Sequence, residues 1–338
     1  MQKASFWNKL ENNKTICNLC PHNCVIPVGK RGVCKVRKNI NGELFAETYG
    51  QICSSGFDPI EKKPLYHFFP GSVIFSVGSI GCNLHCKFCQ NWEISQSSPD
   101  EYPYLKNASP QEIVRSAVNK KDNIGIAYTY NEPIVWYEYM LDIAKLAKKE
   151  NLKNVMVTNG YINQKPLEEL MEYIDAFSVD LKAFTEDFYK KISFAELHPV
   201  KETLRTLRRN NKYFEITNLV ITDENDDEND FTEMVKWIAG ELGADTVFHI
   251  SRYFPTYKLT NQPTSVTTLL KFYEIAKEHL NYVYIGNAST EKGQNTYCPK
   301  CGELLIHRSR YSTQVEGLEN GKCKKCGHQV LVGDSWGF

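Results

Sequence analysis

The sequence lacks several features that would identify whole classes of protein. It has no excess charge, because its 40 basic and 40 acidic side chains cancel, and this excludes a strongly basic protein that coats nucleic acid. No apolar run approaches the roughly 18–20 residues of a membrane span. The opening stretch, MQKASFWNKLENNK, contains no apolar core followed by small residues, so no secretory signal is visible. We therefore expect a soluble, cytoplasmic protein without a membrane partner.

Cysteine is absent from more than two hundred consecutive residues, although the chain contains 12 cysteines. Disulfides are disfavoured in a protein with no sign of secretion. Tight groups separated by an empty middle instead predict metal or iron–sulfur sites. Cys53 has no neighbouring cysteine and is interpreted as an ordinary small hydrophobic residue. The other cysteines form three groups: 17, 20, 24 and 34; 82, 86 and 89; and 298, 301, 323 and 326.

The hydrophobic pattern predicts an α/β fold after about residue 71. The chain is 42% hydrophobic and 24% charged, which excludes intrinsic disorder. Val73–Gly78 is the first of a series of short runs rich in β-branched and aromatic residues, and helical patterns separate these runs. Ser109 to Glu112 has the N-cap serine, proline and glutamate of a helix start. Further strands are predicted within residues 124–130, 154–158, 176–181, 213–221, 246–250 and 282–286.

Strand and helix alternate some six times, which predicts parallel strands with crossover helices. An open doubly wound sheet and a full or partial barrel both satisfy this pattern. No G-x-G-x-x-G follows the first strand, which counts against a nucleotide-binding open sheet and favours the barrel. In both folds, functional residues are expected at the carboxyl ends of the strands. A second capping box is predicted at Asp230 and Glu233, at the end of the acidic loop 223–230.

Cys82, Cys86 and Cys89 follow the first predicted strand with the spacing C-x3-C-x2-C. Three thiolates on one short loop can hold three irons of a [4Fe–4S] cluster and leave the fourth iron free for another ligand. An open iron of this kind can bind a substrate or a cofactor, whereas a fully ligated cluster usually transfers electrons. The alternatives are zinc with a missing fourth ligand and a chance grouping of core thiols.

Two C-x2-C pairs near the carboxyl end, Cys298 with Cys301 and Cys323 with Cys326, have 21 residues between them. Four thiolates on two such turns form the closed tetrahedral site of a zinc ribbon, and zinc is favoured over rubredoxin-type iron. The lysines and arginines around this site are interpreted as solvated side chains, so nucleic acid is not expected as a partner.

The first group, Cys17, Cys20, Cys24 and Cys34, offers a complete set of four thiolates. Zinc and an auxiliary iron–sulfur cluster both fit such a set, and the spacing does not choose between them. We favour a metal of the structural type. His22 is a possible replacement for one of the cysteines as a ligand.

The amino-acid sequence around the second cysteine group is similar to that of a known family. GCNLHCKFCQNW (81–92) resembles the signature of the radical S-adenosylmethionine (SAM) superfamily. The wider series resembles the AmmeMemoRadiSam-system radical SAM enzyme family, which is related to the pyruvate formate-lyase activating enzymes. The resemblance extends over essentially the whole chain. Its further motifs are DPIEKKPLYHFFPGS (58–72), CQNWEISQ (89–96), TYNEP (129–133), TNGY (158–161), SVDLKAF (178–184), FHISRYFPTYKL (248–259) and YIGNA (284–288).

The resemblance implies a partial (β/α)6 barrel of the TIM type, with a cysteine-rich module before it and a zinc ribbon after it. We expect these three parts at residues 1–70, 71–292 and 293–338. It also implies that a [4Fe–4S] cluster on Cys82, Cys86 and Cys89 binds SAM at its open iron. One electron from the cluster would cleave SAM to methionine and a 5′-deoxyadenosyl radical, which abstracts hydrogen from the substrate.

Glu132 is implied to accept the SAM ammonium through a charge-assisted hydrogen bond. In the superfamily the two residues before this glutamate are glycines, whereas here they are Tyr130 and Asn131. The alternative for Glu132 is a surface carboxylate that caps the next helix.

The other implied SAM contacts stand at the ends of later strands. The alternative interpretation of Asp180 and Lys182 is a structural ion pair. The alternative interpretation of His249 is a side chain packed in the core. Val157 stands where the activating enzymes have an aspartate, so one contact of that family is lost. The full set of implied SAM contacts is Asn131, Glu132, Thr158, Asn159, Asp180, Lys182, His249, Arg252 and Gly286.

The resemblance implies two kinds of partner. One is a one-electron donor of the flavodoxin or ferredoxin type. The other is a protein substrate, with Memo-like and AMMECR1-like proteins as candidates. A radical enzyme that modifies a small metabolite or a lipid is the main alternative, and a non-enzymatic protein that binds zinc and RNA is the remote one.

Overall fold

An eight-stranded sheet forms the centre of the computed structural model, which describes residues 1–331. The strands lie side by side in the order in which they occur in the chain. The first is antiparallel to the second, and all later neighbours are parallel. The predicted parallel α/β core is confirmed. The strands are β1 (Ser54–Pro59), β2 (Val73–Gly78), β3 (Asn123–Tyr128), β4 (Lys153–Thr158), β5 (Ala176–Asp180), β6 (Tyr213–Val220), β7 (Val247–Arg252) and β8 (Val283–Gly286).

One long helix lies in each connection between the parallel strands. The apolar residues of each helix recur at helical spacing and are buried against the sheet. The predicted capping box is confirmed at the first of them, where Ser109 Oγ accepts from Glu112 N–H and the Glu112 carboxylate accepts from Ser109 N–H. The helices are α1 (Pro110–Val118), α2 (Tyr137–Lys149), α3 (Gln164–Met171), α4 (Leu197–Arg209), α5 (Glu228–Trp237) and α6 (Val266–Lys277).

The seven runs predicted as strands form the parallel strands β2–β8, which is one strand more than the (β/α)6 barrel implied by the resemblance. Within residues 1–331 the edge strands β1 and β8 do not pair, so the sheet is open, as a partial barrel is. The capping box predicted at Asp230 is wrong, because α5 begins three residues earlier. Asp227 is its N-cap and accepts hydrogen bonds from Asn229 N–H (2.8 Å) and Asp230 N–H (3.0 Å). An acidic run offers several carboxylates that are equivalent in sequence, and only the backbone path selects one.

The amino-terminal part is built from short strands. Gln2–Lys3, Glu43–Ala46 and Arg37–Ile40 form one sheet, and Trp7–Lys9, Thr15–Cys17 and Val25–Ile26 form another. β1 lies within the predicted module 1–70 but belongs to the central sheet. The module boundary at residue 70 stays a prediction.

The carboxyl-terminal part is also built from short strands. They are Thr296–Tyr297, Leu304–Ser309, Ser312–Val315, Leu318–Glu319 and Lys322–Cys323. Its buried residues share one apolar cluster with Val247, Tyr282 and Tyr284 of the sheet. Residues 332–338 of the predicted module 293–338 lie outside the described residues. No helix within residues 1–331 is both long and apolar enough to cross a membrane.

Candidate active site

A cavity of about 620 Å³ lies at the carboxyl ends of the parallel strands. Every strand from β2 to β8 contributes to its wall, either with its last residues or with the loop that follows. This is the edge of a parallel sheet at which functional residues are expected. One lining residue from each strand or following loop, in chain order, is Cys82, Glu132, Thr158, Asp180, Thr217, His249 and Gly286.

Cys82, Cys86 and Cys89 lie on the loop that follows β2, and all three line this cavity. Gly78, the last residue of β2, packs closely against the residue that follows β3. A Cβ at Gly78 would lie only 2.7 Å from the Thr129 carbonyl oxygen, so a larger residue would not fit here. Among the described residues, these sulfurs do not form a group within 4.8 Å of one another. They are therefore not grouped as the ligands of a single metal ion are, whereas a cluster offers a separate iron to each thiolate.

Asparagine side chains hold the cluster loop in place. Asn159 Nδ2 donates to Asn83 Oδ1 (2.9 Å) and lies 3.8 Å from Cys82 Sγ. Asn131 Nδ2 donates to the Gly81 carbonyl oxygen (2.8 Å). Asn131 and Asn159, both expected to contact SAM, line the cavity and also bond the loop that carries the cysteines.

Glu132 lines the cavity but is almost completely buried, with 3% of its surface exposed. Its carboxylate accepts hydrogen bonds from Thr158 Oγ (2.8 Å), Asn159 N–H (2.8 Å) and Ile134 N–H (3.3 Å). Burial raises the pKa of this carboxyl to about 7, although the three hydrogen bonds act in the opposite direction. The third bond makes Glu132 a cap of the turn Pro133–Trp136, but the residue is not on the surface.

Tyr130 stands where the superfamily has a glycine, and its backbone keeps a glycine-like conformation with φ of +73°. A bulky residue rarely adopts this region. Its side chain is held by a hydrogen bond from the phenol to Asp58 Oδ2 (3.0 Å). The backbone of Tyr130 thus takes a conformation that glycine adopts readily.

Asp180 and Lys182 end β5 and form an ion pair of 3.0 Å on the cavity wall. Burial disfavours the ammonium of Lys182, but the charge of Asp180 outweighs this and raises its pKa. The Asp180 side chain is 36% exposed, so a ligand in the cavity can reach it.

His249 lines the cavity and is hydrogen bonded to the buried Glu215, with 2.6 Å between Nε2 and Oε2. Burial opposes the ionised form of Glu215, but the bond from His249 outweighs burial and lowers its pKa to about 2. One ring nitrogen of His249 is therefore occupied by a protein partner. Arg252 is not among the described residues that line the cavity. Its Nε instead donates a hydrogen bond to the Thr264 carbonyl oxygen (2.8 Å).

Gly286 lines the cavity at the end of β8, where a Cβ would lie 2.8 Å from Ser251 Oγ. Sequence reasoning missed Thr217, Ser251 and Tyr311, which also line the cavity. Thr217 and Ser251 could have been found from the sequence, because they are polar residues near the carboxyl ends of predicted strands. Tyr311 could not, because it belongs to the carboxyl-terminal part of the chain, outside the strands of the sheet.

The residues of the cavity fit a cluster and a polar ligand. Burial raises the pKa of the Cys82 and Cys86 thiols, so these groups are thiolates only when a bound cation stabilises them. Thr217 Oγ is buried on the wall and has no hydrogen-bond partner among residues 1–331. A polar ligand in the cavity would supply a hydrogen-bond partner for this hydroxyl.

The four carboxyl-terminal cysteines form a compact group whose sulfurs all lie within 4.8 Å of one another. Cys298 Sγ lies 3.5 Å from Cys326 Sγ, and Cys301 Sγ lies 3.7 Å from Cys323 Sγ. Tetrahedral zinc with its ordinary Zn–S bonds places sulfurs about 3.8 Å apart. These residues can therefore hold a single metal ion.

The four amino-terminal cysteines line a separate cavity, to which Asn83 also contributes. In the described part of the chain they do not form a group within 4.8 Å. His22, considered as a substitute ligand, also lines this cavity, and its Nε2 lies 2.7 Å from the Asn83 carbonyl oxygen.

Comparisons with known proteins agree with this geometry. The model of the radical SAM superfamily matches residues 77–238. An uncharacterized protein of Methanocaldococcus jannaschii is 45% identical over 336 residues, which are 98% of this chain and 99% of that protein. The pyruvate formate-lyase-activating enzyme of Clostridium pasteurianum is 26% identical over 120 residues, which are 33% of this chain and 47% of that enzyme.

Among solved structures, Streptococcus suis SuiB bound to S-adenosylmethionine superimposes with a TM-score of 0.52. The sequences are 13% identical, and the match covers 68% of this chain and 53% of that one. At this identity the likeness shows the α/β fold alone.

Proposed function

The chain belongs to the radical SAM superfamily, whose members are enzymes, and on this basis we propose that its central cavity binds a [4Fe–4S] cluster and SAM. Cys82, Cys86 and Cys89 are the cluster ligands. The observation that carries the proposal is that these three thiols and the polar ends of six further strands line one cavity. When bound, the cluster and SAM supply one-electron reductive cleavage and hydrogen abstraction.

The protein's own residues bind and orient SAM in this proposal. Glu132 accepts the ammonium group, and its burial strengthens that hydrogen bond. Asp180 and Lys182 contact the ribose and the carboxylate of SAM, because both line the cavity with polar atoms. Thr158 and Asn159 position Glu132 through hydrogen bonds. His249 and Gly286 complete the wall, and Arg252 stays outside it.

We further propose that the enzyme acts on a protein, as a member of the AmmeMemoRadiSam system. Large apolar side chains are exposed beside the cavity, which is typical of a protein-binding surface. Trp92 is 40% exposed, follows the cavity residue Asn91 and stacks on Tyr257 at 5.1 Å. Phe254 is 42% exposed on the loop after β7. Memo-like and AMMECR1-like proteins are the candidate substrates.

Two further components complete the proposal. Radical SAM enzymes need a one-electron donor, which we assign to the flavodoxin or ferredoxin type. Cys298, Cys301, Cys323 and Cys326 hold zinc, since the sulfur separations match a tetrahedral Zn–S site. A closed site of this kind stabilises the fold of its module and takes no part in catalysis.

The first test is SAM cleavage by the anaerobically reconstituted full chain under dithionite. We expect 5′-deoxyadenosine to form, and Cys82→Ala, Cys86→Ala or Cys89→Ala to abolish it while zinc stays bound. Cys53→Ala is the matched control and should retain cleavage. If the three variants form 5′-deoxyadenosine at the normal rate, the cluster assignment is wrong. No cleavage by the fully reconstituted protein would instead favour the zinc and RNA-binding alternative.

The second test identifies the substrate class by following deuterium into 5′-deoxyadenosine. A purified, deuterium-labelled Memo-like or AMMECR1-like protein should transfer deuterium when it is the substrate. A labelled extract of small metabolites and lipids is the parallel arm. Transfer from the extract but not from the proteins would contradict the protein-substrate proposal.

A further inference from the structure

Four cysteines that precede the active-site loop in the sequence come together in the amino-terminal part. Cys17 ends a strand, Cys20 and Cys24 lie in the turn that follows, and Cys34 lies in a second turn. Cys17 N–H donates to the Cys24 carbonyl oxygen (3.0 Å), which closes the first turn. All four thiols line one cavity whose other walls are largely apolar: Leu19, Ile26, Val33, Ile134 and Val135. The site thus offers four sulfur ligands within largely apolar walls.

The spacing of the sulfurs separates this site from the carboxyl-terminal one. A single metal ion requires its four thiolates close together, and the carboxyl-terminal group meets this condition within 4.8 Å. Among the described residues, neither the amino-terminal quartet nor Cys82, Cys86 and Cys89 meets it. The quartet therefore lacks the close grouping of sulfurs that the proposed zinc site has, and in this it is like the cluster loop.

A buried arginine supplies a second, independent observation. Arg37 lines the quartet's cavity and is 1% exposed. Its terminal nitrogens donate to the Glu138 carboxylate and to the Ser5 carbonyl oxygen. Its Nε–H has no hydrogen-bond partner among residues 1–331. A buried donor left unpaired is rare, and a sulfur-rich anion in this cavity would accept it.

We propose that Cys17, Cys20, Cys24 and Cys34 hold a second [4Fe–4S] cluster rather than zinc. Four thiolates ligate all four irons, so this cluster has no open iron for SAM, and SAM cleavage stays with the loop after β2. The two cluster sites are neighbours. Asn83, directly after Cys82, lines the quartet's cavity, and a Cβ on Gly81 would lie 2.6 Å from the Cys34 carbonyl oxygen.

The decisive experiment leaves the quartet intact and removes the other cluster. The full-length Cys82→Ala/Cys86→Ala/Cys89→Ala variant is reconstituted anaerobically with iron and sulfide, and its metals are counted. The expected result is about four irons and about four sulfides per chain, together with about one zinc. On reduction with dithionite it should give the electron paramagnetic resonance signal of a reduced cluster. A variant with no iron and about two zinc ions per chain would overturn the proposal.

The converse variant tests the ligands. Adding Cys17→Ala and Cys20→Ala to the triple variant should remove the remaining iron and sulfide and leave zinc unchanged. Iron that persists at the same level would overturn the assignment to these cysteines. Cys53→Ala in the triple variant is the matched control and should keep its iron. Because none of these readouts uses SAM cleavage, the proposal stands or falls separately from the proposed function.

Discussion

Glu132 combines a structural role, as a hydrogen-bond acceptor between two strand ends, with a proposed role in binding SAM. Its carboxylate accepts hydrogen bonds from Thr158 and Asn159 on the neighbouring strand end, and burial raises its pKa to about 7. A cationic ligand beside it would stabilise the ionised form, because an opposite charge lowers a carboxyl pKa. SAM binding and ionisation of Glu132 are therefore expected to be coupled.

Glu132→Gln should weaken SAM binding while the protein keeps its fold and its cluster. Glutamine retains the shape but loses the charge, and a hydrogen bond to a charged group contributes about 1.5–3 kcal/mol. The KM for SAM should therefore rise about tenfold to a hundredfold. In the unaltered enzyme the KM should also rise as the pH falls below about 7, because the carboxyl is then protonated.

The control for this prediction is Glu168→Gln, which changes an exposed carboxylate on α3. It should leave the KM and its pH dependence unchanged. A Glu132→Gln enzyme with the same KM and the same pH profile as the unaltered enzyme would show that the carboxylate does not contact SAM.

At the scale of elements, the closeness of β3 to β4 depends on Gly125. A Cβ at this position would lie 1.9 Å from the Lys153 carbonyl oxygen, which is far inside contact distance. Both strands are central in the sheet; Glu132 lies in the loop that follows β3, and Thr158 is the last residue of β4. The packing that fixes this pair of strands also fixes the proposed SAM site.

Gly125→Ala should therefore destabilise the protein, because either the strand pair or its register has to shift. Overpacking of this kind costs about 1–3 kcal/mol, which lowers the urea midpoint. Gly240→Ala is the matched control, since a Cβ there meets nothing within 4 Å. Equal midpoints for the two variants would mean that β3 and β4 can separate without cost.

The elements were largely predictable from sequence, but their details were not. β-branched runs identified all seven parallel strands, and the strand-end rule placed Glu132, Thr158, Asp180 and His249 on one cavity. The start of α5 was missed because Asp227 and Asp230 look alike in an acidic run. The partner of His249 was not predictable either, since Glu215 meets it only when β6 pairs with β7.

At the scale of the whole molecule, a buried polar network joins the loop after β1, the sheet and the carboxyl-terminal part. The Glu215 carboxylate on β6 accepts from the N–H groups of Tyr66 and His67, both at 2.8 Å. His67 Nε2 lies 2.6 Å from the Tyr284 hydroxyl on β8. Arg308 donates to the Tyr66 carbonyl oxygen (2.6 Å). The carboxyl-terminal part is thereby tied to the sheet by hydrogen bonds as well as by apolar contact.

This network predicts how stability depends on pH. Burial lowers the pKa of His67 to about 3, from an ordinary value of 6.5. Between these values the unfolded chain binds a proton that the folded protein does not, so stability falls as the pH drops below 6.5. Glu215, whose pKa is lowered to about 2 from 4.5, adds to the loss only below pH 4.5. The buried Glu132, whose pKa is raised to about 7, contributes to stability with the opposite sign in the range from pH 6.5 to 4.5, so the part that belongs to His67 is isolated only by comparison with a variant that lacks this histidine.

His67→Gln should make stability less dependent on pH in this range. Glutamine can hydrogen bond to Tyr284 but does not titrate, so the slope of unfolding free energy against pH should fall by up to about 1.4 kcal/mol per pH unit. Urea unfolding at several pH values, with metal content matched between the two proteins, measures the slope. Acid release of metal affects both proteins and cancels in the comparison. Identical slopes would mean that His67 is not held neutral in the folded protein.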